Sequence, residues 1–150
     1  MKPFVRITRH PYEEPNHLKL VVTAWNGRLF GQLEIYANAE DLQVLAAKLR
    51  RFPTADDEPV LWELGSENPE DRWAFYYHLR AYQVNSLGQC AVEFRFNNNR
   101  VPPHREVVEF SMLAYPSDLD RLADLLEQFG RFEHRVLEWT VTDGRLLEEA

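Results

Sequence analysis

Two hydrophobic periods alternate along the chain. From His17 to Trp25, the residues Leu18, Leu20, Val22 and Ala24 fall on one side, and Lys19, Val21, Thr23 and Trp25 on the other. That period of two is the pattern of a half-buried strand. Asn26-Gly27 follows, a pair that tolerates the positive φ angles of a type I′ hairpin turn. The returning strand is predicted from Arg28 to about Tyr36. Upstream, Pro3 to His10 also alternates and reads as a first, edge strand. Pro11 to Asn16 holds two prolines, which block a ladder, so it reads as a loop. The period then changes. Leu42, Leu45, Ala46, Leu49 and Phe52 recur at helical spacing, with Asn38 and Asp41 at the spacing of a capping box and Pro53 as a stop. The loop Thr54 to Pro59 leads to a short strand, Val60 to Leu64, and Gly65 to Asp71 is a polar connection.

The second half repeats this order. Arg72 to Gln83 and Gln89 to Asn97 read as strands around a turn at Asn85-Ser86-Leu87-Gly88. Asn97 to His104 is a loop, and Arg105 to Tyr115 is another strand. A helical stripe follows in Leu119, Leu122, Ala123, Leu126 and Phe129, with Pro116 in its first turn and Gly130 past its end. A strand from about Arg135 to Val141 precedes the Asp143-Gly144 turn and a short acidic tail.

The two halves match at one constant offset. Ala37 aligns with Ala114, Asp41 with Asp118, Leu42 with Leu119, Leu45 with Leu122, Ala46 with Ala123, Leu49 with Leu126, Phe52 with Phe129 and Trp62 with Trp139. Any two amphipathic helices share leucines. The flanking strands, however, also keep their parity: Leu33-x-Ile35-x-Ala37 matches Phe110-x-Met112-x-Ala114. A one-residue slip would turn every side chain to the other face, so shared parity implies shared inward faces. The expected fold is α+β in one domain over residues 1–150. It has two strand-strand-helix-strand units, about 17–65 and 72–142, which form one mostly antiparallel sheet with both helices on one face.

Composition narrows the class. In 150 residues, 45% are hydrophobic and 27% charged, a globular balance. The net charge of −7 repels phosphate backbones and favours a basic partner over nucleic acid. No stretch reaches the roughly 18 apolar residues of a membrane helix, and charges interrupt the start where a signal peptide would have its apolar core. The chain therefore reads as cytoplasmic and reduced. Export without a cleaved signal would look the same. The single cysteine, Cys90, is in phase with Val92, Phe94 and Phe96 and is expected in the core rather than as a nucleophile.

Candidate chemistry is sparse. The sequence holds no glycine-rich phosphate loop and no G-x-S-x-G elbow. His10, Glu13, Glu14 and His17 match no standard zinc spacing, and neither a metal nor a cofactor is expected. Asp56-Asp57-Glu58 and the Glu67, Glu70, Asp71 group lack the ligand spacing of a calcium loop. They read as solvated charges or as an acidic rim for a basic partner. The outward face is the strongest candidate site: Trp25, Tyr36, Tyr76, His78, Arg80, Tyr82, Glu93 and Arg95, with Phe30 joining by parity. Aromatics and arginine are enriched at the centres of interfaces. The same residues also make ordinary cross-strand pairs. His78 with Glu93 is the one acid–base pair on offer.

Finally, Trp25-Asn26-Gly27-Arg28-Leu29-Phe30-Gly31, Glu34-Ile35-Tyr36, Phe52-Pro53 and Trp62-Glu63-Leu64-Gly65-Ser66 resemble segments of small, acidic, uncharacterised bacterial proteins. Some of these occur alongside toxin–immunity systems. The resemblance implies a protein partner and carries no catalytic motif. The leading expectation is a non-enzymatic protein-binding module, in its most concrete form an immunity-type protein that neutralises a basic toxin. The alternatives are a small-molecule-binding domain or enzyme that uses the sheet face, or a homo-oligomer that buries it.

Overall fold

A computed structural model describes residues 2–12, 14–53 and 58–148. Of the sequence features above, Glu13 of the first histidine loop, Asp56-Asp57 of the acidic run and Glu149 of the tail lie outside the described residues. The chain runs β1 (Phe4–His10), β2 (His17–Trp25), β3 (Phe30–Asn38), α1 (Asp41–Arg51) and β4 (Val60–Gly65). After a 3-10 turn (Pro69–Asp71) it continues through β5 (Tyr76–Gln83), β6 (Cys90–Asn97), β7 (Val107–Ala114), α2 (Pro116–Phe129), β8 (Val136–Thr140) and β9 (Gly144–Leu147). The fold is α+β, and every strand pairing is antiparallel.

The strands divide between two sheets, where parity predicted one. A five-stranded sheet has the order β3-β2-β1-β8-β9, and a four-stranded sheet the order β4-β5-β6-β7. Each helix carries the chain across. After α1, strand β4 pairs with β5 rather than with its own hairpin, and after α2, strand β8 pairs with β1. Parity fixes which way a side chain points but not which edge a strand joins. The same exchange moves β1 from the expected edge to the middle of its sheet. It also gives β9, expected as tail, a partner in β8.

The local signals explain the joints. The first hairpin turns over four residues rather than two, because the Asn26 side chain accepts from the N–H groups of Arg28 and Leu29 (3.0 and 2.8 Å) and Gly27 takes φ +101°. The strand therefore resumes at Phe30. Each helix starts with the same device: the Asp41 carboxylate accepts from Asn38 N–H (3.1 Å), and the Asp118 carboxylate from Tyr115 N–H (2.8 Å). These are the back-reaching halves of a capping box.

The inner faces and both helices share one core. Leu18, Leu20, Val22, Ile35, Leu42, Leu49, Leu79, Phe94, Leu119, Phe129 and Trp139 are among its fully buried side chains, and Cys90 is buried with them. The helices pack against each other, with Arg50 paired to Asp124 across the contact (2.7 Å). The sheets meet at β3, where a Cβ on Gly31 would lie 2.4 Å from the Phe96 ring. Only glycine allows that approach. The outer face of the four-stranded sheet carries no helix. No helix of the described residues is long and apolar enough to cross a membrane.

Candidate functional site

The fold separates the candidate residues. Trp25 and Tyr36, with Phe30, lie on the outer face of the five-stranded sheet. Trp25 packs against Phe4 (6.2 Å between centroids), and Tyr36 packs edge-on to Tyr12 (5.1 Å) and donates to Glu34 (2.8 Å). Tyr76, His78, Arg80, Tyr82, Glu93 and Arg95 lie together on the outer face of the four-stranded sheet, contributed by β5 and β6.

Strand register assembles this second group. Opposite His78 on β6 is Arg95, and opposite Arg80 is Glu93. His78 and Glu93 are diagonal neighbours, within reach of long side chains. His78 Nε2 lies 2.8 Å from Glu93 Oε1, and its Nδ1 lies 3.0 Å from the Tyr76 hydroxyl. That hydroxyl donates to Glu63 on β4 (2.5 Å). Burial first, and then the Glu63 carboxylate, push the Tyr76 phenol well above its ordinary pKa, so it stays a protonated donor.

The rest of the face extends from this line. Arg80 lies over the Tyr82 ring at 4.7 Å and faces the second Glu93 oxygen at 3.9 Å. Tyr82 bonds Ser111 Oγ at 2.9 Å. Arg95 is drawn aside by Glu67, which takes contacts of 2.8 and 3.1 Å from its guanidinium. Those bonds, with help from Asn97, hold the Glu67 carboxyl below its usual range. Arg95 also faces Glu109 on β7 at 3.6 Å. Ligand atoms of His78, Glu93 and Glu109 all lie within 4.8 Å of one another.

The line Glu63···Tyr76···His78···Glu93 runs through three contacts, and either imidazole nitrogen can carry the ring proton. The structure joins His78 to Glu93 as the sequence suggested. It brings in Glu67, from the acidic connection already read as a possible rim, and adds Glu63 and Glu109, which the sequence did not mark. Each of these two stands alone in its own strand, and only the pairing of β4 with β5 and of β6 with β7 brings them in.

A cleft of about 380 Å³ opens at Arg80 and Tyr82, at one end of this face. Another of about 710 Å³ follows the junction of the sheets, between Phe30–Glu34 and Arg105–Val108, and contains neither His78 nor Glu93. Comparison with family models, with curated proteins and with solved structures finds no match for this chain.

Proposed function

We propose that this chain is a non-enzymatic protein-binding module that docks a basic partner on the outer face of its four-stranded sheet, with an immunity-type protein that neutralises a toxin as the concrete case. The observation that carries the reading is the charge on that face: four carboxylates, Glu63, Glu67, Glu93 and Glu109, accompany two guanidiniums, Arg80 and Arg95. The surplus is negative, in line with the net charge of −7. Complementary charge speeds encounter and sets register. The side chains are held by one another, so docking immobilises few of them further. Leu61 and Leu113, 43% and 56% exposed, add apolar area on the same face.

The test is a pull-down from the source lysate at low and high salt, read by mass spectrometry, with Leu113→Arg beside the native chain. Leu113 is exposed, so the variant keeps the fold while placing bulk and positive charge on the face. A stoichiometric basic protein that leaves at high salt, fails to bind the variant and is toxic when expressed alone supports the reading. Absence of any partner at low salt, or equal capture by the variant, overturns it.

A further inference from the structure

We propose that His78, Glu93 and Glu109 form a binding site for one divalent transition-metal ion of the zinc type. The site shares Glu93 and Glu109 with the docking face, and ion binding is measured on the isolated chain, so either reading can fail without the other.

Three observations carry it. The first is convergence: the three side chains come from three adjacent strands, and their ligand atoms lie within 4.8 Å of one another. Zinc bonds of about 2.0–2.2 Å to nitrogen and oxygen in a tetrahedron put ligand atoms about 3.4 Å apart. His78 Nε2 and Glu93 Oε1, at 2.8 Å, need to open by a few tenths of an ångström. Glu109, whose side chain is 46% exposed, closes the remainder by leaving its contact with Arg95.

The second is the orientation of the imidazole. A metal-ligating histidine donates its other N–H to a polar partner, which fixes the tautomer and the ring. Here the Tyr76 oxygen lies 3.0 Å from His78 Nδ1, and Glu63 in turn holds the Tyr76 hydroxyl. The third is burial: His78 is 9% exposed, so its ring is set by packing before any ion arrives.

Arg95, opposite both His78 and Glu109 in the ladders, is held by Glu67 and keeps one nitrogen 3.6 Å from Glu109 Oε1, a contact that the ion would replace. Three protein ligands leave a fourth position for water or for a donor from a partner. The mixed imidazole and carboxylate set suits zinc and its first-row neighbours over calcium, which takes oxygen ligands alone.

The experiment is calorimetric titration of Zn²⁺ into the untagged, chelator-treated full chain, with Co²⁺ absorption reporting the coordination. One ion per chain is expected. Glu109→Gln, an exposed change that leaves the fold intact, should weaken binding at least tenfold. Tyr76→Phe, which removes the oxygen beside His78 Nδ1, should weaken it by about ten- to a hundredfold while leaving the stoichiometry unchanged. No saturable one-to-one binding overturns the site. Binding unchanged in Glu109→Gln does so too, since it would place the ion on other histidines.

Discussion

The two sheets are built from the same strand pattern yet use their polar groups differently. On the outer face of the five-stranded sheet the charges sit in short, solvated contacts: Arg6 and Arg145 share Glu138 (3.7 and 3.2 Å), and Lys19 meets Glu34 (3.5 Å). On the four-stranded sheet they form a connected line through a nearly buried histidine. The inner faces differ as well. Trp139 of the five-stranded sheet donates its indole N–H to the Asp118 carbonyl (2.9 Å). Its counterpart Trp62, packed edge-on against Tyr77 (5.0 Å), has no partner for its N–H, and neither has the Tyr77 hydroxyl. The five-stranded side has unmet groups of its own, at Arg121 Nε and His134 Nδ1, so the inner faces differ at the two tryptophans and the outer faces in how far their contacts connect.

The largest effect should separate the two tryptophans. Trp139→Phe loses ring volume from a fully buried site together with a hydrogen bond. Trp62→Phe loses the same volume but also removes a buried donor that nothing satisfies. An unmet buried donor costs about 1–3 kcal/mol, so Trp139→Phe should be the more destabilising by about that amount. Urea unfolding of both variants measures it, and equal losses would erase the difference between the inner faces.

The outer faces should separate by less. Glu93→Ala strips the partner from His78 Nε2 at a nearly buried position, at a cost of about 1–2 kcal/mol. Glu34→Ala, on the exposed face of the other sheet, should stay within about 0.5 kcal/mol of the native chain. Similar losses from the two changes would mean that the connected line behaves as ordinary surface pairing.

How much of this the sequence carried depends on the range of the signal. Local features were legible: the period-two strand at Leu18–Ala24, the stripe Leu42–Phe52 ended by Pro53, the inward phase of Cys90, and the shared α+β composition of both halves. Partner choice was not. Whether β4 joins β3 or β5 depends on which apolar edge the helix delivers it to, and nothing between Phe52 and Val60 encodes that. The site divides the same way. His78 and Glu93 could be paired because β5 and β6 form a hairpin of adjacent strands. Glu109 could not, since its place beside them follows from the register of β7 on β6 across a nine-residue connection. Trp25 and Tyr36 have the outward parity, but their strands β2 and β3 belong to the five-stranded sheet, and parity does not encode sheet membership.

The smallest effect concerns pH. Glu67 is drawn below the usual carboxylate range chiefly by its hydrogen bonds from Arg95. A carboxyl whose folded pKa lies below its unfolded value, near 4.3, stabilises the fold above that value and loses the contribution as pH falls through the folded one. The native chain should therefore lose stability across this acid window, and Glu67→Gln should lose less, with a shallower slope. Its side chain is 37% exposed, so solvent and salt screen the effect, and thermal melts at low ionic strength are the sensitive measurement. An unchanged acid slope would make the Arg95–Glu67 contact a solvated pair like Lys19–Glu34. It would also remove the reason Arg95 stays clear of His78, and with it the physical distinction between the two faces.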